Sequence, residues 1–199
     1  MDFNDLKLRL KRVYYAIDKK DEFNIEDHVK FTRKNVPLGE NRGFLEFNID
    51  FGNYDEAEIL NRVFLIINGI AALKDHIKNK FREIRKDPEE VENLINNSQE
   101  LQLVLDLFNQ DKHGYPLTLV RRSHKDPKIK NLKQSLIIRG NPGVTFYPNT
   151  GKIEYGENVS ISIVGEVVDG EDNFIISLEK MIEESMGKIE KLLKHNNII

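Results

Sequence analysis

The spacing of apolar residues changes at Gly114-Tyr115-Pro116, and this change limits the possible folds more than any other feature of the chain. Before it, two long stretches carry apolar residues at intervals of three and four, which is typical of amphipathic helices. After it, short alternating stretches are separated by turn-forming residues, which is typical of antiparallel strands. Helices and antiparallel strands that occupy different parts of a chain predict an α+β fold.

Two long helices are predicted before the change. The first runs from about 55 to 84, and its apolar stripe consists of Leu60, Val63, Phe64, Ile67 and Ala71. Asp87 suits the N-cap of the second helix, and Pro88 suits its first position. This helix is expected to end near His113, because a glycine and then a proline follow it. The two helices together predict a long antiparallel helical hairpin.

The predicted strands have alternating apolar residues or turn residues at their ends. They are Leu45–Phe51, a short Leu117–Val120, Ser135–Arg139, Val144–Tyr147, Lys152–Tyr155 and Val159–Val168. The last four are expected to form a small antiparallel β-meander, with turns at Asn141-Pro142 and Asn149-Thr150.

Additional helices are predicted at both ends of the chain. One is an amphipathic helix over 2–18, and the other is a last helix capped by Asp172. The apolar stripe of the last helix consists of Phe174, Leu178, Met181, Ile182, Ile189, Leu192 and Leu193. We expect a single α+β domain over 1–199, with a helical part over about 1–114 and the meander plus C-terminal helix over about 115–199. The packing of the meander on the helices is left open.

Composition excludes several classes of function. The chain has no cysteine, which excludes disulfides, zinc–thiolate sites, iron–sulfur clusters and thiol nucleophiles. A net charge of −3 gives no overall basic field. The longest apolar run is interrupted by Asn68 and is far shorter than the roughly 20 residues of a membrane span. The first residues do not resemble a signal peptide, so we expect a cytoplasmic protein without a membrane partner.

One face of the second long helix indicates a candidate site. Its residues are Val91, Ile95, Ser98, Gln102, Asp106, Asn109 and His113. The face is apolar at its beginning and polar at its end, as expected of a face that leaves the core and opens into a polar pocket. His113 could act as an acid or base, with Asp106 or Asn109 fixing its tautomer, while Lys112 holds a phosphate. Alternatively, these residues only cap the helix, whose C-terminus favours positive charge.

We therefore expect His113 to lie within hydrogen-bond reach of Asp106, Asn109 or a backbone carbonyl, with part of its ring facing a cavity. A metal site is the main rival, because Asp75-His76 lies on the partner helix. In a hairpin, however, His76 and His113 would differ by roughly 25 Å along the helix axis. Neither a metal nor another cofactor is expected.

The segment Asn109-Gln110-Asp111-Lys112-His113 resembles the Asn-x-Asp-Lys-His signature of HEPN-like helical proteins from prokaryotic defence and toxin systems. The resemblance covers roughly 55–114, and it implies a dimeric, metal-independent ribonuclease. HEPN-like nucleases carry an arginine shortly before the histidine, where this chain has Asp106, Leu107 and Phe108. Since that arginine grips the scissile phosphate, the resemblance is equally consistent with a non-catalytic relative.

A basic stretch follows the helix. It contains Arg121, Arg122, His124, Lys125, Lys128, Lys130 and Lys133, against one acid, Asp126. These side chains could hold a phosphate backbone, with Arg121, Arg122 and Lys125 as the first contacts beside Lys112. Alternatively, the stretch is an exposed loop with solvated charges, and Asp126-Pro127 favours a loop. No aromatic residue interleaves with it, so base stacking is not indicated.

Two classes of function remain open. One is an RNA-directed HEPN-like protein, either a weak ribonuclease or a non-catalytic RNA binder, with His113, Asn109 and Asp106 at the site. The other is a protein-interaction or assembly module, in which the motif is structural and the apolar faces of the terminal helices bind a protein partner.

The sequence also predicts a homodimer. Leu65 and Ile66 face away from the predicted stripe of the first long helix, and a second copy could cover them. We expect an interface of at least about 1,200 Å², with the helix over 55–84 or the helix over 88–113 at its centre. Analytical ultracentrifugation at micromolar concentration tests this, and a single species at the chain mass of 23.2 kDa would contradict it.

Overall fold

A computed structural model describes residues 5–17, 30–37, 43–50, 56–114, 122–138, 144–147, 152–155 and 159–199. Five helices lie in these ranges: α1 (Leu6–Ile17), α2 (Glu56–Glu83), α3 (Glu89–Asn96), α4 (Gln99–His113) and α5 (Leu178–His195). The strands are β1 (Lys30–Pro37), β2 (Gly43–Asp50), β3 (Lys128–Ile138), β4 (Val144–Tyr147), β5 (Lys152–Tyr155), β6 (Val159–Val168) and β7 (Phe174–Ser177). The α+β class is therefore confirmed.

Helix α2 occupies nearly the whole range predicted for the first long helix. Acidic residues lie in its first turn and basic residues in its last turn, and both stabilise the helix because they interact favourably with its dipole. Its buried residues are Ile59, Val63, Ile66, Ile67, Ile70, Ala71, Leu73, Ile77 and Phe81. The predicted stripe was wrong at Leu60, which is 38% exposed, and Ile66 is buried rather than outward-facing. Leu65 is 59% exposed, as expected.

The second predicted helix is two helices, because α3 ends before Asn97 and α4 begins after Ser98. Ser98 is extended, and its hydroxyl accepts a hydrogen bond from the backbone N–H of Leu101 at 3.5 Å. A serine that caps a new helix competes with continuation of the old one, which is why the expectation of one unbroken helix was wrong. The end of α4 agrees with the prediction, since Gly114 adopts a left-handed conformation with φ of 66°.

Three strands form an antiparallel sheet in the order β3-β6-β7. Strands β3 and β6 pair from Ile138 opposite Val159 to Lys128 opposite Val168, with an irregularity between Lys130 and Lys133. Strands β4 and β5 pair with each other, and so do β1 and β2.

The predicted ranges of β4, β5 and β6 are confirmed, but the meander order is wrong. Strand β3 is much longer than predicted and pairs with the long strand β6, which leaves the two short strands to pair with each other. The prediction did not include β1. Three further predictions lie outside the described residues: the strand Leu117–Val120 and the turns at Asn141-Pro142 and Asn149-Thr150.

The last helix begins later than predicted. Asp172 is not its N-cap but lies in the turn between β6 and β7, with φ of 70°. The N-cap is Ser177, whose side chain accepts from the backbone N–H of Lys180. Phe174, which was expected in the core stripe, lies in β7 and is 62% exposed. The rest of the stripe, from Leu178 to Leu193, does contribute to the core.

The core lies where α4 packs against α2 and α5, and α5 also contacts β6. Its fully buried side chains include Phe81, Ile67, Leu103, Met181 and Leu193. At the edge of the core, the hydroxyl of Tyr14 on α1 donates to the carboxylate of Glu190 on α5, and this bond lowers the pKa of Glu190. In the described ranges, no helix combines the length and apolar character needed to cross a membrane.

Two leucines of α2 provide a matched test of this packing. Leu73→Ala removes a side chain that is 1% exposed, so we expect a loss of about 2–5 kcal/mol in the free energy of unfolding. Leu65→Ala makes the same chemical change at an exposed position and should cost less than about 0.5 kcal/mol. Urea denaturation measures both. Equal losses would contradict the orientation of α2.

Candidate nucleic-acid interface

Asp106 attaches the chain that follows α4 to the side of that helix. The carboxylate is almost fully buried. Its Oδ1 accepts from the backbone N–H of Arg122 at 3.0 Å, and its Oδ2 accepts from the N–H of Ser123 at 2.9 Å and from the Ser123 hydroxyl at 2.5 Å. Three donors to one carboxylate satisfy most of its hydrogen-bonding capacity. Asp106 therefore has a structural role in holding this turn, and its predicted role of orienting His113 stays a prediction.

A second contact holds the same turn one helical turn further along α4. The side-chain amide of Gln110 donates to the carboxylate of Asp126 at 3.2 Å. The turn over 122–126, which we call the basic turn, therefore runs beside the last turns of α4. This contact brings Arg122, His124 and Lys125 towards the helix end that carries the motif.

The helix end itself is open to solvent. Lys112 and His113 are exposed and Asn109 is half-buried. The Lys112 ammonium lies 5.9 Å from the centroid of the Phe108 ring, within the range of a cation–π contact. His113 is therefore exposed to solvent at the end of the helix, and the expected contact of its ring with a cavity stays a prediction.

Arg122 is held by an ion pair that connects three elements. Its guanidinium donates to one oxygen of Glu92 on α3 at 2.8 Å, and Lys78 on α2 donates to the other oxygen at 2.7 Å. The hydrogen bond from Lys78 is the largest cause that lowers the pKa of Glu92, to about 2, and the bond from Arg122 adds to it. A phosphate at Arg122 would have to share the guanidinium with Glu92. Arg121, the other predicted arginine contact, lies outside the described residues.

The loop predicted for the basic stretch was wrong from Lys128 onward, because these residues form β3. One acid and one carbonyl of the turn over 169–173 contact the ammonium groups of two of these lysines. Lys130 forms an ion pair with Asp172 at 2.8 Å, and the Lys128 ammonium donates to the carbonyl of Gly170 at 3.1 Å. The hydrogen bond from Lys130 lowers the pKa of Asp172. The sequence could not show this pairing, since the partners lie about forty residues further along the chain.

The resulting surface consists of Lys112 and His113 at the helix end together with His124 and Lys125 in the basic turn. We call it the cationic ridge. Lys112, His113 and His124 of this surface are exposed and Lys125 is half-buried, and its two lysines can bind an anion such as a phosphate group. No group of three or more histidine or acidic side chains in the described ranges is placed to hold a metal ion.

Glu92 and Ser123 were not predicted from the sequence, although both hold the start of the basic turn in place. Glu92 looked like one of several acidic residues in the first turns of a helix, and Ser123 like one polar residue of a loop. Neither has a sequence signal, because each is defined by a partner far away in the chain.

Glu92 gives the ion pair a measurable pH dependence. Its pKa is lowered on folding, so its stabilising effect is complete above the ordinary glutamate value of 4.5 and is lost as the pH falls towards about 2. We expect Glu92→Gln to reduce the free energy of unfolding by on the order of 1–3 kcal/mol at pH 7. The gap to the wild type should shrink between pH 5 and pH 3.

Urea denaturation at several pH values measures that gap. Glu89→Gln changes an exposed glutamate of the same helix and should leave a small gap that varies little with pH. A Glu92→Gln gap that stays constant down to pH 3 would show that the ion pair does not stabilise the fold.

The chain matches no protein-family model, no curated protein and no solved structure. What supports a function is therefore the geometry of the cationic ridge, together with the short motif over 109–113.

Proposed function

We propose that the protein is an RNA-directed, HEPN-like protein that binds RNA at the cationic ridge. The observation that carries the proposal is the anchoring of the basic turn by Asp106. Without these hydrogen bonds, the position of Lys125 in the basic turn would be independent of the position of Lys112 on α4. With them, the turn that carries Lys125 is fixed to the side of α4, whose last residues include Lys112 and His113.

The chemistry of the ridge favours contacts to the RNA backbone. Lysine side chains attract phosphates and release counterions on binding, and this effect does not depend on base sequence. Phe108 is half-buried and lies under Lys112, so it is not presented as a stacking platform. The protein should therefore bind single-stranded RNA with little sequence preference and with strong dependence on salt.

The contacts favour binding over cleavage. Of the three residues assigned to catalysis, Asp106 is used by the basic turn, which leaves His113 and Asn109. The arginine of HEPN-like nucleases is absent from 106–108, and Arg122 is paired with Glu92. In its catalytic form, the proposed protein is a weak metal-independent ribonuclease in which His113 acts as the acid or base.

The same proposal places the protein in the cytoplasm, as part of a prokaryotic defence or toxin system.

The second candidate is an assembly module, including the homodimer. Exposed apolar side chains on two helices favour it: Leu60 and Leu65 on α2 are 38% and 59% exposed, and Tyr15 on α1 is 63% exposed. Contact with a protein partner would cover them, as exposed apolar surface generally favours. This function requires no RNA.

RNA binding can be tested with a charge-matched pair of variants. We expect Lys112→Gln to weaken binding of a fluorescent single-stranded RNA about three- to tenfold at low salt, measured by fluorescence anisotropy. The slope of log affinity against log salt should decrease by about 0.7 for each lost phosphate contact. Lys191→Gln removes the same charge from an exposed position on α5 and should leave the affinity unchanged.

The same RNA distinguishes the binder from the nuclease when its integrity is followed with and without a chelator. Cleavage that survives the chelator and is lost in His113→Ala would identify the catalytic form. Equal weakening by Lys112→Gln and Lys191→Gln would show that binding is not at the ridge. Absence of RNA binding would leave the assembly module as the function.

A further inference from the structure

A groove between α1 and α2 has a volume of ≈ 350 Å³ and shares no residue with the cationic ridge. This volume suits a small molecule rather than a polymer. Arg9 and Arg12 on α1 and His76 and Asn68 on α2 contribute polar groups to its walls. The groove therefore combines two fixed positive charges with an imidazole.

The spacing of these residues directs their side chains to the same groove. Arg9 and Arg12 are three positions apart on one helix, so they lie on the same face. The pKa of His76 is lowered first by burial and then by the charge of Arg9, with a smaller opposing effect of Asp75. Arg9 and His76 line the same groove, close enough for the charge of Arg9 to lower the pKa of His76.

The side-chain amide of Asn68 is a further polar group of the groove, and its oxygen can accept a hydrogen bond. Its buried Oδ1 has no hydrogen-bond partner among the described residues. An unsatisfied buried carbonyl is costly, and a hydroxyl donor of a ligand would remove that cost.

The remaining wall of the groove is apolar. Val13 is buried, and Gly69 allows α1 to approach α2, since a Cβ on Gly69 would lie 3.0 Å from a methyl group of Val13. Leu65, which is exposed, lies along the same groove. A ligand here would contact charged donors on one side and apolar carbon on the other.

We infer that this groove binds a small organic phosphate, whose phosphate group contacts Arg12, Arg9 and His76 and whose compact apolar body lies against Val13 and Leu65. Guanidinium groups donate in pairs to phosphate oxygens, and the imidazole supplies a further donor. A phosphate monoester carries close to two negative charges at neutral pH, which matches two arginines better than a single carboxylate does.

Phenyl phosphate is the probe, and its binding to the full chain is followed by isothermal titration calorimetry. We expect Arg12→Gln to weaken binding about tenfold. Lys11→Gln removes a positive charge from the neighbouring exposed position, which does not line the groove, and should leave the affinity unchanged. Thermal melting checks that both variants are folded, and Arg12 is exposed, so its replacement should not disturb the core.

A second measurement reads the site directly. The phosphate should raise the pKa of His76, since an anion would then join Asp75 in opposing the effects of burial and of Arg9. The change is followed through the imidazole signals in an NMR pH titration with and without phenyl phosphate. A His76 pKa that does not change on binding would place the probe elsewhere and overturn the inference.

Three control ligands test the proposed chemistry. Benzyl alcohol lacks the charge, benzoate replaces the phosphate with a carboxylate, and inorganic phosphate lacks the apolar body. Each should bind at least about fivefold more weakly than phenyl phosphate. Equal binding by any of them would overturn the corresponding part of the inference. No binding of phenyl phosphate, or equal weakening by Lys11→Gln and Arg12→Gln, would overturn all of it.

Discussion

The buried carboxylate of Asp106 is the constraint on which the arrangement of the candidate site depends. A carboxylate can remain inside a protein only if donors replace the water that it loses, and here two backbone N–H groups and a hydroxyl do so. These donors come from the chain that leaves the helical part and leads into β3. The need to satisfy one side chain therefore fixes where the first strand of the sheet begins relative to α4. Glu92 also fixes the position of the basic turn, because its carboxylate accepts hydrogen bonds from Arg122 in the turn and from Lys78 on α2.

The sequence predicted the elements whose signals are local. Helix α2 and strands β4, β5 and β6 were found because periodicity and turn residues depend on neighbours in the chain. The sequence failed where a partner distant in the chain decides the structure. Strand β3 begins at Lys128 because β6 pairs with it there, although its first residues look like a charged loop. The helix break at Ser98 carried a local signal, a serine that suits an N-cap, but the apolar periodicity on both sides concealed it.

The candidate site was predictable in the same uneven way. The position of Lys112 and His113 at a helix end follows from Gly114, which the sequence shows plainly. The use of Asp106 could not be inferred, because an acidic residue one or two turns before a histidine is an obvious partner for it. Only the hydrogen bonds from Arg122 and Ser123 show that this carboxylate holds the basic turn. Pairing of Lys130 with Asp172 likewise reduces the number of cations that a phosphate could meet. Much of the charge that the sequence analysis assigned to binding thus takes part in contacts that stabilise the folded chain.

The pairing of β3 with β6 has a consequence for how the chain folds. Ile138 and Val159 are neighbours across the sheet, so the whole segment between them must close as a loop before these strands can pair. Loop closure costs conformational entropy that grows with the length of the free segment. Strands β4 and β5 lie inside this segment and pair with each other, and a hairpin of this kind forms within microseconds. Early formation of the β4–β5 hairpin would shorten the loop that remains to be closed, so this local pairing would lower the entropy cost of bringing β3 and β6 together.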